Sequence, residues 1–591
     1  MPAAMRVKPD SPERLLVVDL GPWVRAGIYA RGPGGYRILA VGSVPSTLDS
    51  PHFDLTPAFE GALADTAARA GSFAFPAPPY DGPLTERAPI IAAVTGDHVV
   101  GGPTAFLIGN LVQRDQEELT RTITEAGFEQ IGHATTSGRA FRDRVDGPAA
   151  LDVMASRTPD TVVVALTDDD TGESLAYVAD LLVGGLAGHE SGYLPRVVVL
   201  YGGLPDPAAC ELLQGALPTT VFQVYGGSPS EPMDMGTPLA ALQDAARAVQ
   251  RGTSADRLVP PVVSRAPQVS RAAALDAAAQ ELSAGQELDC AVISYDYGNV
   301  TAVTVHGEAS VVTRLGSERP HGRPFHLGLH TPVDRVARWT TDEPLPEALQ
   351  VFVLERTAHP TALPATPAEL QLAHAIWTAA ARDALRGSGR GHDQPPEVDL
   401  AVITGDITQT LARPVQAALV LINSLETAGV TQLALDASNA LGMSGSLRQV
   451  GQSAAVESSL VRLGACVALR GDASLGNAAV GVEVHPAGTA AIEREVTAGS
   501  MDVIQWEADV EAEVRIWPAP EFDAGLGYGR PVHLRAPIVA GSIGLVIDAR
   551  GRPLVWPDAP NARQAWVGQW HRALNAYPAA RPRRQEAAHA A

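Results

Sequence analysis

The sequence predicts an α/β fold in which two similar half-domains face each other across a cleft. Two strand–turn–strand units indicate this: one apolar strand ends in Asp19-Leu-Gly21, another ends in Asp296-Tyr-Gly298, and each is followed by a returning strand. Short Val, Ile and Leu runs alternate with helical segments, which is typical of sheets covered on both faces. In such a cleft the glycine-rich turns can bring backbone N–H groups close to phosphates, and the two Asp side chains can hold a hydrated Mg²⁺.

Composition restricts the possible functions. The chain has 591 residues, 46% of them hydrophobic, which is enough for several cores. Its net charge of −22 argues against a nucleic-acid-binding surface. No apolar run reaches the roughly 18 residues that span a bilayer, and residues 1–13 lack the apolar core of a signal peptide. We therefore expect a cytoplasmic protein that contacts neither membrane nor nucleic acid.

Cysteine and lysine content exclude several kinds of site. The three cysteines, Cys210, Cys290 and Cys466, are too far apart to indicate a disulfide framework or a zinc site. Lys8, in the predicted N-terminal tail, is the only lysine. The folded body therefore has no Walker A lysine, no Schiff-base lysine and no lysine that could bind phosphate.

Turn and cap residues locate the helices, and apolar runs locate the strands. Helices that begin with Thr-Pro and end with Gly are predicted at residues 56–71, 237–252 and 366–387. Residues 413–429 are a variant without the Thr, and further helices are predicted at residues 115–126 and from residue 270 onwards. Apolar strands are predicted at residues 89–94, 161–166, 196–200 and 400–404.

Proline- and glycine-rich segments and a change of texture give the predicted domains. The first half covers residues 14–258, a linker residues 259–269 and the second half residues 270–448. After that point, residues 479–484 and 509–516 alternate between apolar and polar, which is typical of strands solvated on one face. We therefore predict a separate β-rich C-terminal domain at residues 449–577, with disordered tails at residues 1–13 and 578–591.

Five segments in this order resemble the glutamate mutase L family: the Asp19 unit, the Asp296 unit, residues 402–408 with 412–419, residues 429–436 and residues 544–554. The resemblance covers nearly the whole chain from residue 14 to about residue 576. The family is similar to the superfamily of actin, heat-shock chaperone ATPases and sugar kinases. The resemblance thus implies actin-like (ribonuclease H-like) half-domains, ATP and Mg²⁺ as ligands, and ATP-dependent assistance to a cobalamin-dependent mutase.

The resemblance also assigns residues to the expected nucleotide site. Asp19 and Asp296 would hold the metal ion and its water. Contacts to the nucleotide would come from Gly21, Gly298, Thr301 and Gly405. The competing interpretation of the two Asp residues is that they are ordinary turn formers at strand ends.

This sequence departs from the superfamily pattern at every one of these turns. The first turn continues with Pro22, Trp23 and Val24 where relatives carry Ser or Thr, and proline has no N–H to donate. The second turn lacks one glycine and one threonine, with Ala302 at the hydroxyl position. The third turn keeps one glycine and places the Asp406 carboxylate near the nucleotide. A fourth turn corresponds to residues 167–172.

We interpret the other polar residues as ordinary surface or loop residues. Arg25 could replace a phosphate-binding lysine, but we expect it to face outward on the returning strand. Asp168, Asp169 and Asp170 are expected in a solvated loop rather than a cation site. His321, His326 and His330 match no compact zinc pattern, so we expect loop histidines.

Two functions stay open. The first is a non-catalytic scaffold or assembly partner with an eroded nucleotide site, which binds a protein partner and needs no cofactor. The second is an ATPase that reactivates a cobalamin-dependent mutase, with Asp19 and Asp296 positioning Mg²⁺ and water. The sequence does not determine the partner or the oligomeric state.

Overall fold

In the computed structural model, the described residues are 13–47, 55–70, 90–95, 104–109, 128–135, 161–166, 196–201, 222–226, scattered residues between 119 and 263, and 266–578 with internal gaps. The main gaps are 297–298, 317–330, 387–396, 473–476 and 535–536. The chain divides into two compact units. One comprises Met1–Ala274, Glu318–Arg323 and Gly442–Ala454, and the other comprises Leu275–Ser317, Pro324–Leu441 and Ala455–Ala591. The described residues form a mixed α/β structure with several sheets, so the α/β part of the prediction is confirmed.

The first unit contains strands β1 to β10 and helix α1. They are β1 (Arg14–Asp19), β2 (Trp23–Gly32), β3 (Gly35–Pro45), α1 (Thr56–Ala70), β4 (Ile90–Thr95), β5 (Thr104–Gly109), β6 (Glu129–Thr135), β7 (Thr161–Leu166), β8 (Arg196–Tyr201), β9 (Phe222–Gly226) and β10 (Gln268–Val269).

The strands of the first unit form two five-stranded sheets. One has the order β10-β4-β1-β2-β3, in which β1 is antiparallel to β2 and parallel to β4, so the predicted strand–turn–strand unit at Asp19 is present. The other, β6-β5-β7-β8-β9, is entirely parallel. Because β10 pairs with β4, the last residues of the predicted linker are part of the first sheet.

A close contact fixes α1 against the first sheet. A Cβ at Gly42 of β3 would lie 2.3 Å from the Ala62 carbonyl oxygen of α1, so only glycine allows this approach. The Thr66 hydroxyl accepts a hydrogen bond from the Gly42 N–H at 3.0 Å and lies 2.8 Å from the Ala26 carbonyl oxygen, to which it donates. The apolar face of α1, with Phe59 and Leu63, covers the buried side of β1 and β2.

The second unit contains the remaining elements, apart from the first residues of α2 and most of α7. They are α2 (Arg271–Gln286), β11 (Cys290–Tyr295), β12 (Asn299–His306), β13 (Ala309–Gly316), α3 (Val333–Ala337), α4 (Pro346–Ala358), α5 (Pro367–Arg386), β14 (Leu400–Thr404), α6 (Pro414–Leu425), β15 (Gly429–Leu435), α7 (Ala440–Gln449), β16 (Val461–Ala468), β17 (Ala478–Pro486), β18 (Ile492–Thr497), β19 (Met501–Ile504), β20 (Glu511–Pro518), β21 (Val532–His533), β22 (Ile538–Val539), β23 (Gly544–Asp548) and α8 (Pro560–Ala573).

An eight-stranded sheet organises the second unit, with the order β13-β12-β11-β14-β15-β16-β23-β19. Its last three strands come from the segment predicted to be a separate C-terminal domain. β16 is antiparallel to β15, β23 is parallel to β16, and β19 is antiparallel to β23. The predicted boundary after residue 448 therefore runs through one continuous sheet, because strands distant in sequence pair side by side.

The remaining C-terminal strands form a smaller sheet, β18-β17-β20-β21, with β22 also paired to β20. Burial alternates strictly along β20, as its sequence predicted. The buried face, including Val482, Val514 and Ile516, packs with β16 and β23 residues in one core. The other face is exposed or half-buried. The β-rich character of this segment is thus present, although its strands are divided between two sheets.

Two predicted helices differ from the observed ones at their ends. Helix α5 begins at Pro367, and the Glu369 N–H donates to the Thr366 hydroxyl at 3.2 Å, as a capping threonine predicts. The Glu369 side chain, however, accepts from the Ala365 N–H instead of closing a capping box. Helix α6 ends at Leu425 rather than near Gly429, because Glu426 takes the left-handed conformation with φ of 49°.

A buried polar cluster attaches the segment after α8 to helix α5. His374 Nδ1 lies 2.9 Å from the Tyr577 hydroxyl, and His374 Nε2 lies 3.2 Å from the Thr410 hydroxyl. Thr410 donates its own proton to the Ile407 carbonyl oxygen, so Nε2 must be the protonated nitrogen and Nδ1 must accept from Tyr577. Thr410 is therefore not activated as a nucleophile. The His571 ring lies 4.6 Å from the Tyr577 ring.

No helix in the described part of the chain is long and apolar enough to cross a membrane.

Truncation after Arg448 is expected to yield aggregated protein. The cut removes β16, which pairs with β15 from Gly429 to Leu435, and so exposes an apolar sheet edge. Size-exclusion chromatography with light scattering measures this, and removal of residues 579–591 alone provides the control that should elute as the full chain does. A soluble 1–448 fragment that melts cooperatively would contradict the prediction.

Acidification below about pH 6.5 should destabilise the second unit through its buried histidines. Burial lowers the pKa of His374 to about 3, aided by His571, and lowers the pKa of His571 to about 4, aided by Arg550. The unfolded chain then binds more protons, so stability is complete above the unfolded pKa and falls with pH below it, by about 1.4 kcal/mol per pH unit for each histidine.

Urea unfolding between pH 7 and pH 5 measures this slope. His374→Gln should flatten it, whereas His533→Gln, at an exposed strand position, should leave it unchanged. Equal slopes for all three proteins would disprove the role of the buried histidine.

Candidate functional site

Asp19, the first predicted metal ligand, lies at the end of β1 and is 5% exposed. Its Oδ1 accepts hydrogen bonds from Arg271 Nη2 at 2.5 Å and from the Thr95 hydroxyl at 2.9 Å. Its Oδ2 accepts from Arg25 Nη1 at 3.0 Å. Both carboxylate oxygens are therefore engaged by protein donors.

The sheet itself brings most of these partners to Asp19. Arg25 on β2 is directly opposite Asp19 in the antiparallel ladder, and Thr95 on β4 is opposite it in the parallel ladder. Side chains directly opposite one another in adjacent strands project from the same face. Arg271 comes from the first position of α2. The expectation that Arg25 faces outward is wrong: its side chain is 1% exposed, because its charge is paired with Asp19.

Two guanidinium groups, those of Arg25 and Arg271, face the single carboxylate of Asp19. Burial alone would raise the pKa of Asp19, but the charges of Arg271 and Arg25 outweigh it and lower that pKa. Asp19 therefore stays ionised, and its contribution to stability is lost only at pH values below its ordinary pKa of about 3.9. A Mg²⁺ ion prefers several free oxygen ligands, and a site next to two cations does not fit it. Gly21 lies beside the same guanidinium, since a Cβ there would be 3.3 Å from Arg271 Nη2.

Asp296, the second predicted ligand, directly follows β11 and is fully buried. Its Oδ2 accepts a hydrogen bond from the Ser294 hydroxyl at 2.8 Å, and its backbone N–H donates to the Asn299 carbonyl oxygen at 2.9 Å, which closes the turn between β11 and β12. Thr301 lies on β12 and is also buried. Its hydroxyl donates to Asn299 Oδ1 at 3.3 Å, so it is directed at the protein. Gly298 lies outside the described residues.

Gly405, from the third predicted turn, is required by its backbone. Its φ is 94°, and a Cβ there would lie 2.6 Å from the Tyr295 carbonyl oxygen, so no other residue fits without strain. Its N–H donates to Asn439 Oδ1 at 2.7 Å. Asp406 follows at the start of a 3₁₀ helix (Asp406–Gln409) and is 7% exposed. The Gly405 N–H, which a bound nucleotide would need, is therefore already hydrogen-bonded within the protein.

Two residues that sequence reasoning did not single out complete this turn. Asp436, at the end of β15, accepts from the Thr404 hydroxyl at 2.8 Å and from the N–H groups of Ala440 and Leu441 at 3.0 and 2.8 Å. It thus caps helix α7. Asn439 takes the left-handed conformation with φ of 55°. A local signal in the sequence could have identified both residues, because Asp and Asn are preferred just before the first turn of a helix.

The remaining polar candidates from the sequence lie outside the described residues: Asp168, Asp169, Asp170, His321, His326 and His330. Within the described ranges, no group of three or more His, Cys, Asp or Glu side chains could hold a metal ion. Burial raises the pKa of the Cys290 thiol to about 12, and burial with the Asp548 charge also raises that of Cys466. Both thiols therefore remain protonated and unreactive at neutral pH.

Comparison with known proteins gives only distant structural similarity. No family model matches the chain, and no curated protein matches it. Solved structures that resemble it include a nucleotide-free acetone carboxylase, from work on ATP-dependent acetone carboxylation, with 10% identity, a TM-score of 0.31 and coverage of 82% of this chain and 81% of that one.

Two further solved structures resemble the chain at similar levels. A chain of a PilM–PilN type IV pilus biogenesis complex has 11% identity, a TM-score of 0.22 and coverage of 70% of this chain and 86% of that one. A glycerol dehydratase reactivase has 10% identity, a TM-score of 0.24 and coverage of 70% and 95%. Every one of these TM-scores is below 0.5, so functional inference depends on the chain's own residues.

Asp19→Asn is expected to destabilise the first unit by about 3–5 kcal/mol, because it leaves two buried guanidinium groups without their counter-charge. Urea unfolding measures the change. Asp65→Asn is the matched control, since Asp65 pairs with Arg69 at the surface of the same unit and should cost at most about 1 kcal/mol. Adding Arg271→Met to Asp19→Asn should restore part of the loss. Unfolding of Asp19→Asn at the wild-type urea concentration would refute the structural role of the cluster.

Proposed function

We propose that this protein is a non-catalytic scaffold or assembly partner, similar to glutamate mutase L, whose nucleotide site is eroded. The observation that carries the proposal is the engagement of Asp19 by Arg25 and Arg271. A carboxylate needed for Mg²⁺ is here neutralised by fixed cations of the chain itself. The function that fits such a chain is binding of a protein partner in the cytoplasm, without a cofactor.

Several further features support the loss of hydrolysis. Pro22 follows the first turn and has no N–H to offer a phosphate. Trp23 and Val24 begin β2 at positions where a hydroxyl would be needed. The Gly405 N–H is already donated to Asn439. Since removal of a single preorganised donor commonly costs on the order of 10²–10³ in rate, losses at several turns bring turnover close to the uncatalysed background.

The alternative is an ATP-dependent reactivating factor for a cobalamin-dependent mutase subunit. What favours it is that Asp19, Asp296 and Gly405 are all retained, and that the guanidinium groups of Arg25 and Arg271 lie beside Asp19. Guanidinium groups bind phosphate oxygens well. In that alternative ATP would have to displace Asp19 from an arginine, and the metal would need to be held elsewhere, with Asp296 the remaining candidate ligand.

Purified wild-type protein should show no micromolar affinity for ATP or ADP, with or without Mg²⁺, and no steady-state phosphate release above background. Calorimetry and a phosphate-release assay measure these quantities. Asp296→Asn, which keeps an oxygen acceptor for Ser294, is the variant for comparison, because Asp19 variants are expected to lose stability. Micromolar binding of Mg-ATP, with turnover that Asp296→Asn abolishes, would establish the reactivating ATPase instead.

A further inference from the structure

The exposed face of the small C-terminal sheet, here called the outer face, combines carboxylates with an exposed indole. Burial alternates along β17 and β20, and residues opposite one another across the ladders project from the same side. By this register the outer face carries Gly481, Glu483, His485, Glu493, Glu495, Glu511, Glu513, Arg515, Trp517 and His533.

A notch lies across the middle of this face. Gly481 on β17 is opposite Glu495 on β18 on one side and opposite Trp517 on β20 on the other. A Cβ at Gly481 would meet nothing within 4 Å, so the space above it is open. Adjacent strands are about 4.8 Å apart, which places the two flanking strands roughly 10 Å apart. The notch therefore has a glycine floor, an indole wall and a carboxylate wall.

The indole wall is unusually open for such a large apolar group. Trp517 is 44% exposed, and the hairpin loop that follows it also exposes Leu526 at 58% and Tyr528 at 62%. The loop is nevertheless anchored, because Asp523 Oδ1 accepts the N–H groups of Gly525 and Gly527, each at 2.7 Å. Exposed apolar groups on a held hairpin are typical of an interaction site.

The carboxylates on and beside this wall differ in their counter-charges. Glu483 is paired with His485 at 2.8 Å and lies 3.7 Å from Arg515. No ion pair is formed by Glu493 or Glu495 within the described part of the chain. Glu493 and Glu495 are both exposed on β18, so their carboxylates are accessible to a cation of a partner.

We propose that the notch binds the guanidinium group of an arginine on an extended segment of a partner protein. This inference rests on the proposed scaffold function and names the chemistry of its docking face. A guanidinium stacks on an indole with its centre within about 6 Å of the ring, and it donates to a carboxylate at about 2.8 Å. Trp517 and Glu495 lie on either side of Gly481, so one guanidinium above the glycine can reach both side chains.

Arginine fits this notch better than the other possible occupants. A lysine ammonium is a compact, strongly hydrated charge that cannot stack on Trp517 and form paired hydrogen bonds to Glu495 together. A second copy of this chain is disfavoured, because its net charge of −22 repels another copy. The partner is therefore a protein with a basic, arginine-bearing segment.

A fluorescein-labelled Gly-Ser peptide with interspersed arginines is the probe, and fluorescence anisotropy measures its binding to the full chain at low salt. The same peptide with citrulline in place of arginine keeps the shape and removes the charge. We expect binding of the arginine peptide that weakens with added salt, weaker binding of a lysine peptide, and no measurable binding of the citrulline peptide.

Variants then locate the site. Gly481→Leu fills the notch in a strand position that has room for a side chain, and Trp517→Ala removes one wall. Each should weaken binding about threefold to tenfold, whereas Trp517→Phe should retain most of it. Glu495→Gln should weaken binding, and Glu511→Gln, at the far end of β20, should not. Unchanged thermal midpoints show that the variants fold.

The proposal is overturned if the citrulline peptide binds as well as the arginine peptide, or if Gly481→Leu binds with wild-type affinity. These outcomes are separate from those of the nucleotide test. Mg-ATP turnover with arginine binding at the notch would reject the scaffold function and keep the docking site. Absence of both turnover and peptide binding would keep the scaffold function and reject the docking site.

Discussion

Compensation of buried carboxylates at strand ends is the constraint on which both units depend. Asp19 ends β1, Asp296 directly follows β11 and Asp548 ends β23, and each is at most 5% exposed. An isolated carboxylate in such a place would cost several kcal/mol or take up a proton. With no lysine in the folded body, the chain supplies arginine, hydroxyl and backbone N–H donors instead. Arginine suits the task because its planar fork can bind both oxygens of one carboxylate.

The Asp548 cluster shows the same solution at the centre of the second unit. Arg550 Nε and Nη2 donate to the two oxygens of Asp548 at 2.8 and 2.7 Å, and Arg552 pairs with it as well. Burial would raise the pKa of Asp548, but the charges of Arg550 and Arg552 lower it well below its ordinary value. Arg550 also lies over the Trp570 ring at 4.6 Å. Arg550 therefore contacts helix α8 through Trp570 as well as neutralising a strand end.

Local signals predicted much of the fold and little of its long-range assembly. The strand pairs at Asp19 and Asp296, the Thr-Pro helix starts at residues 56 and 366, and the alternation in β20 each depend on residues close in sequence, and the structure contains them. Whether β16 pairs with β15 or begins a new domain depends on competition between distant strands, which a single sequence does not reveal. The prediction for Arg25 is wrong for a related reason. The sequence places Arg25 on a strand, but it does not show that the side chain is buried through its ion pair with Asp19.

The candidate site could be predicted only in part, because a carboxylate that binds a metal ion and a carboxylate that accepts an ion pair from the protein look alike in sequence. Asp19 at the end of a strand fits a metal ligand and an ion-pair acceptor equally well. The distinction lies in Arg271, 252 positions away along the chain. Asp436 and Asn439 likewise belong to the third turn only because β14 and β15 are neighbours in the sheet. The spacing of these residues along the sequence does not show that they meet in the fold.

An arginine side chain and a bound metal ion neutralise a carboxylate at a strand end under different conditions. A metal ion neutralises its carboxylate only when it is bound, so the turn beside it depends on the concentration of ion and nucleotide. Arg271 is always present and always charged, so the turn after β1 is neutralised whether or not a ligand exists. Mg²⁺ would have to displace a guanidinium held by a charge-assisted hydrogen bond in a buried site. The ion pair that stabilises the first unit is thus the same feature that opposes metal binding at Asp19.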